Sequence, residues 1–303
     1  MQTVQKVAAV CVNWNGENSL RTTLESLLAS DYPGIEILVV DNASSDNSAE
    51  NIPGETDLLR LETNTGYGEA LNRGINFLEK KNRDSPVQFY LALNNDVCLE
   101  PDTISGLVDF AVEKGPGIYG PAVVRMDNPE RLEAAWGKLT WSHVLTRLEG
   151  KDAPVSSPPW NQFMENVILL GSVMLIHRGI FDSGIMFDPL YFMYHEEVDF
   201  IFRAGKQGYP AYYCPSIRAR HYIGRGTEKD PLKKIYWTRR NSIYFLKKQG
   251  AGVGKWVKCL GTMLCSFLYT SASLRFRRAR AIAAGALDGL RGISENNPEY
   301  LQK

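Results

Sequence analysis

The carboxylates and amides of this chain gather where apolar runs stop. Asn94-Asn95-Asp96 closes the run Phe89-Tyr90-Leu91-Ala92-Leu93. An aspartate at such a point, with an amide two residues before it, suits a hard divalent cation and leaves positions for water and phosphate oxygens. The same triplet also makes a turn, because Asn and Asp bond nearby backbone through their own side chains. Asn13, Asp41-Asn42-Ala43-Ser44-Ser45-Asp46 and Asn64-Thr65-Gly66 end three other runs in the same manner. Asp41 and Asn42 can hydrogen-bond a base or a ribose, and Asp46 reads as a cap. A second acidic set, Glu196-Glu197-Val198-Asp199, offers carboxylates for general-base chemistry. Its bland alternative is helix-dipole compensation, with Asp199 and Arg203 as an i,i+4 pair.

Those side chains need a scaffold that brings strand ends together. Residues 7–12, 35–40, 58–61 and 89–93 are short apolar runs, and Leu20, Leu24, Leu27 and Ala70, Leu71, Ile75, Leu78 recur between them at helical spacing. This alternation predicts an α/β fold with a parallel sheet and right-handed crossovers, and ligands in such sheets sit beyond the carboxyl ends of the strands. Residues 127–159 mix charges, glycines and prolines and read as an insertion or mobile flap. Strand patterns return at 167–176 and 211–214 around a helix over 196–207, and helices over 236–248 and 256–272 follow. Gly66-x-Gly68 fails as a dinucleotide loop, since the third glycine falls on Leu71.

Composition narrows the classes. The 303 residues carry 34 Lys and Arg against 34 Asp and Glu, so overall charge gives no case for nucleic acid. Five cysteines without a Cys-x-x-Cys pair argue against a disulfide framework or zinc knuckle and fit a reducing cytoplasm. The N-terminal residues run into a strand without the pattern of a secretory signal. Residues 256–272 are apolar but contain Lys258 and fall short of a bilayer span, and Arg275, Arg277, Arg278 and Arg280 follow. An apolar helix beside a basic cluster suits peripheral contact with the inner face of the cytoplasmic membrane. Packing on the catalytic domain or on a second subunit, as a homodimer, is the other reading.

As a set, these residues resemble the inverting family 2 glycosyltransferases, and within them the bacterial rhamnosyltransferase-like members that build cell-surface polysaccharides. The resemblance runs through Val12-Asn13-Trp14-Asn15-Gly16, Val39-Val40-Asp41-Asn42-Ala43-Ser44-Ser45-Asp46, Asn64-Thr65-Gly66-Tyr67-Gly68, Asn94-Asn95-Asp96 and His195-Glu196-Glu197-Val198-Asp199, and ends with Arg239-Arg240-Asn241. It implies a GT-A fold: a mainly parallel central sheet with flanking helices, plus a C-terminal helical extension. The corresponding division is a catalytic domain over 1–225, with a donor half to about 125 and an acceptor half beyond it, and a helical region over 226–303. A nucleoside-diphosphate sugar as donor, dTDP-rhamnose or a UDP-hexose, is implied, with a saccharide or lipid-linked acceptor and Mg²⁺ or Mn²⁺ as cofactor.

The resemblance also implies roles. Asp41 recognises the nucleoside, and Asn13, Asn64, Gly66, Asn94 and Asn95 shape the same pocket. Asp96 carries the metal, because Asn94 stands where the family commonly has an aspartate, and His221 is a second candidate ligand. Glu197 aligns with the family's catalytic aspartate and is one methylene longer; Glu196 is the fallback. Arg239 and Arg240 are candidates for phosphate contact or for solvated helix charges. Trp14, Tyr67 and Trp136 read as packing residues. Two rival functions are a non-catalytic nucleotide-sugar binding module and a nucleotidyltransferase that makes the donor.

Overall fold

A computed structural model describes residues 4–50, 52–222 and 230–293. Strands β1 (Val7–Asn13), β2 (Ile35–Asp41), β3 (Thr56–Arg60) and β4 (Phe89–Asn94) form a parallel unit in the order β4-β1-β2-β3. Every residue of β1 is buried, as a near-continuous apolar strand requires when helices cover both faces. Helix α1 (Leu20–Leu28) packs Leu20, Leu24 and Leu27 against Val7, Ala9 and Cys11. Helix α2 (Tyr67–Lys81) packs Ala70, Leu71, Ile75 and Leu78 against Ala8, Val10 and Val12 on the other face. Alternate residues of one strand thus enter two cores.

Beyond this unit the chain places β5 (Val97–Leu99), α3 (Thr103–Lys114), β6 (Ile118–Arg125), β7 (Leu132–Ala134), β8 (Trp136–Leu139), β9 (Thr146–Glu149), β10 (Met164–Glu165), β11 (Val173–His177), α4 (Arg178–Asp182), α5 (Glu196–Lys206) and β12 (Ala211–His221). The main path is β10-β12-β6-β11-β4-β1-β2-β3. β11 is antiparallel to both β4 and β6, whereas β12 and β6 are parallel. The path is therefore mostly parallel, with β11 reversed at its middle and the short β10 reversed at its edge.

Three elements differ from expectation. The strand read at 167–176 joins the main sheet only from Val173, and before it Ile168 forms a lone bridge to Gly137. The short strand at 211–214 continues to His221, with its register shifted between Cys214 and Arg218. Pro215 lies in that gap and has no N–H to give a ladder. Residues 127–159 hold β7 and the β8–β9 hairpin, with Trp136 buried against Trp160 and Tyr213.

Three helices close the described chain: α6 (Pro231–Lys248), α7 (Val253–Ala272) and α8 (Phe276–Arg291). Asp230 caps α6 by accepting from the Leu232 and Lys233 amides at 3.1 Å. α8 lies close on α6 because Gly285 and Gly289 face it: a Cβ at Gly285 would stand 2.4 Å from the Tyr236 carbonyl oxygen. The division expected at residue 225 lies outside the described residues.

Candidate active site

Register alone brings the first polar residues together. Asn13 and Asp41 are paired across β1 and β2, and Asn94 ends β4 beside Val12. The fully buried Asn13 amide donates to Asp41 Oδ1 at 3.1 Å and Ser48 Oγ at 2.8 Å, and its oxygen accepts from Asn95 Nδ2 at 2.7 Å. Gly16 permits this, since a Cβ there would lie 2.3 Å from both the Asn13 and Asn95 side chains. Asp46 accepts from the Glu17 and Ser48 amides, so it clamps two loops and caps no helix. Trp14 stands 43% exposed at this edge, unlike a packing residue.

Asn42 organises the next loop. Its side chain accepts from the Thr65 amide at 2.8 Å and donates to Asn64 Oδ1 at 3.1 Å, while Asn64 accepts from the Gly66 amide at 2.9 Å. Gly66 has φ +84°, and a Cβ there would meet the Phe192 carbonyl oxygen at 2.2 Å. Both backbone conformation and close approach call for glycine. The Tyr67 amide donates to that same carbonyl at 3.1 Å, joining the loop to the turn ahead of α5.

Asp96 is buried at the opposite end of the triplet. β12 pairs His221 with Val97, which sets the imidazole beside Asp96: Nε2 is 3.0 Å from Asp96 Oδ1, and Nδ1 is 2.6 Å from Glu133 Oε2. Burial works to lower the His221 pKa, but the bonds to Asp96 and Glu133 outweigh it and push it up to about 10. An imidazolium thus links the two carboxylates, and a cation bound beside Asp96 would take the place of its Nε2 proton while Nδ1–H stayed on Glu133. Glu133 was not singled out in the sequence, since nothing in its neighbourhood marks a lone glutamate before β7 meets β6.

A carboxylate and an imidazole on adjoining strands fit a divalent cation that takes its other ligands from water and phosphate. Among the described residues no group of three or more His, Cys, Asp or Glu forms a cation cage by itself. The donor set therefore suits a cation brought together with an anionic ligand.

The Gly171-Ser172 turn links this edge to the acidic helix. The Asn94 amide donates to the Ser172 carbonyl at 2.9 Å, and the Tyr67 hydroxyl donates to the Gly171 carbonyl at 3.0 Å. A Cβ on Gly171 would lie 3.3 Å from Glu197 Cγ, so the missing side chain leaves room for the glutamate. Tyr67, read from sequence as packing, is half-buried and does pack on the core beside α2. Its hydroxyl pKa is pushed well up by burial first and then by Glu196, Cys11, Glu197 and Asp96. Burial also raises both glutamates, and Glu197's charge adds to the effect on Glu196.

Phe192, Tyr194 and His195 all have positive φ (57°, 67° and 71°) just before α5. Such backbone persists only where the surroundings hold it. α6 does so: Asn241 Nδ2 contacts the carbonyls of Tyr191, Met193 and Tyr194 at 2.7–2.9 Å, and Arg240 donates to those of Leu190 and Tyr191. Arg239 is buried and donates to the His143 carbonyl. Arg239 and Arg240 are therefore not solvated helix charges: both are buried and meet backbone carbonyls. His195 is buried against this helix, and desolvation with nearby Arg239 lowers its pKa to about 3.

Comparison with known proteins agrees with this arrangement. The chain is 28% identical over 306 residues to N-acetylglucosaminyl-diphospho-decaprenol L-rhamnosyltransferase of Mycobacterium tuberculosis, covering 90% of this chain and 95% of that protein. It is 21% identical to rhamnosyltransferase WbbL of Escherichia coli, covering 80% and 93%. The solved mannosyltransferase PcManGT of Pyrobaculum calidifontis, in complex with GDP-Man and Mn²⁺, shares the fold with a TM-score of 0.55 at 15% identity over 95% of this chain and 88% of that one. The model of Glycosyl transferase family 2 matches residues 9–163, and the chain is a member of that family, a glycosyltransferase of GT-A fold.

Proposed function

We propose that this glycosyltransferase moves a sugar, rhamnose from dTDP-rhamnose, onto a lipid-linked saccharide acceptor in cell-surface polysaccharide synthesis, at the cytoplasmic face of the membrane. The two rhamnosyltransferases that align over most of their length support the sugar, and the decaprenol-linked substrate in one name supports the acceptor class. The observation that carries the mechanism is the Gly171-Ser172 turn, which touches Asn94, Tyr67 and Glu197 together. It spans donor edge and acid.

In this reading the donor half extends to about residue 125 and the acceptor half to about 225. Asp41, with Asn13, Asn64, Gly66, Asn94 and Asn95, forms the nucleoside side. Asp96 and His221 hold Mg²⁺ or Mn²⁺, which when bound offsets the charge of the leaving diphosphate. Glu133 fixes the His221 ring, as carboxylates commonly do for ligating histidines.

Glu197 accepts the proton of the acceptor hydroxyl as that oxygen bonds to the anomeric carbon. The bond from that carbon to the diphosphate oxygen breaks on the opposite face, and the diphosphate departs with the electron pair. Configuration inverts. The raised pKa strengthens Glu197 as a base, and its partial exposure leaves it open to an acceptor. Glu196 is buried, which leaves it less open to an acceptor than Glu197.

Thermal-shift screening with dTDP, UDP, GDP and their sugars, with and without Mg²⁺ or Mn²⁺, tests the reading. A metal-dependent shift with dTDP-rhamnose is the expected result. A shift with UDP-hexoses alone would replace the sugar assignment, and no shift with any nucleotide would defeat the donor site.

A further inference from the structure

Helix α7 has two apolar sides, and only one is covered. Cys259 and Met263 are buried with Ile243, Phe245 and Leu246 of α6. On the opposite side Val253 (80% exposed), Val257 (65%), Leu260 (39%), Leu264 (57%) and Leu268 (56%) stand in solvent. Their spacing of four, three, four and four residues sets them in one stripe along the helix. At the corner into α8 the stripe runs on to Leu274 (75%) and Phe276 (64%). A contiguous apolar face of this length marks a surface that meets something.

Charge identifies the partner. Residues 231–287 contain twelve Lys and Arg and no Asp or Glu, in a chain whose totals are 34 and 34. Arg275, Arg277, Arg278 and Arg280 are all exposed around Leu274 and Phe276. Two copies of this segment would bring cation against cation with no carboxylate from residues 231–287 to relieve the repulsion. An anionic lipid surface supplies both an apolar layer for the stripe and negative headgroups for the arginines. Among the described residues no helix is long and apolar enough to cross a membrane, so the contact lies in the interface plane.

We propose that α7 and the α7–α8 corner form the surface by which the enzyme lies on an anionic bilayer, with the leucine stripe immersed and the arginine cluster on the headgroups. This deepens the lipid-linked acceptor reading and rests on it, yet its test needs no nucleotide.

The test is flotation of the full chain with phosphatidylcholine vesicles containing or lacking phosphatidylglycerol, at low and high salt. The expected result is flotation only with the anionic vesicles, weakened by salt. Arg277→Gln and Arg278→Gln should each reduce partitioning about fivefold, and Leu264→Gln with Leu268→Gln should lower it further at every salt concentration. These side chains are exposed, so the donor-induced thermal shift of each variant reports that folding and nucleotide binding persist. Flotation that is absent, or indifferent to phosphatidylglycerol, or unchanged by the leucine variants would overturn the proposal. So would a dimer in sedimentation that Leu264→Gln with Leu268→Gln dissolves, which would assign the stripe to a second copy. Flotation without any nucleotide-induced shift would instead count against the donor reading alone.

Discussion

The strand-end edge and the turn before α5 reach one site by opposite means. At the edge, Asn13, Asp41 and Asn94 are placed by parallel register, and the side chains of Asn13, Asp41 and Asn95 bond to one another and to the adjacent Ser44 and Ser48. The turn at 192–195 has unfavourable backbone at three non-glycine residues and is held from outside, by Arg240 and Asn241 on a helix nearly fifty residues later. The first region is self-supporting, whereas the second depends on the docking of α6. Damage to α6 should therefore reach the catalytic carboxylates, and the Gly66 loop that leans on Phe192, while sparing Asn13 and Asp41.

The largest effect should come from Glu197→Gln. Loss of a positioned base predicts a fall in kcat of about 10³-fold, with the donor-induced thermal shift retained. Full turnover in that variant would move the base to Glu196. Next is Asn241→Ala, which removes the Asn241 amide from the Met193 and Tyr194 carbonyls while Arg240 still serves Tyr191, and should cost about 2 kcal/mol of stability. Its signature is a drop in kcat larger than the loss of donor affinity, because Asn13 and Asp41 do not rest on α6 and only the Gly66 loop meets the braced turn, at Phe192. If Asn241→Ala and Asn13→Ala weaken donor binding alike in calorimetry, the contrast between the two regions fails.

Glu133→Gln tests a smaller term. Loss of the carboxylate behind His221 should lower Mn²⁺ affinity about tenfold, read by titration in the presence of nucleoside diphosphate without any turnover. Unchanged affinity would leave Glu133 as a structural partner of the imidazole.

The smallest effect concerns pH. Burial and the neighbouring Glu197 raise the Glu196 pKa, so its contribution to stability is full below the ordinary carboxylate range and is lost as pH rises through the raised value. Glu196→Gln should accordingly raise Tm by about 2 °C at neutral pH, with the gain shrinking in acid. The raised Glu197 likewise predicts that kcat/KM falls on acidification at a pH above the usual carboxylate value of 4.5. An acid limb at or below that value would show an unperturbed base.

Much of the fold was legible because apolar runs and helical spacing are local signals. The parallel unit, the ligand edge and the two core faces follow from residues 7–94 alone. β11 was harder: a reversed strand between two parallel ones has the same apolar pattern as its neighbours. β12 was read too short, since Pro215 breaks the ladder without ending the strand. In the site, Asn13, Asp41, Asn64, Gly66 and Asp96 stood out because strand ends carry ligands. Glu133 did not, because its importance lies in His221, far along the chain.

The sequence by itself determined the family, the strand-end polar residues and the acidic start of α5, since these rest on residue type at short spacing. Only the tertiary structure decided that His221 meets both Asp96 and Glu133, that Arg240 and Asn241 brace a turn, and that one face of α7 stays bare. Each of those depends on which segments pack together after long loops close, and side-chain chemistry read along the chain does not encode that distance.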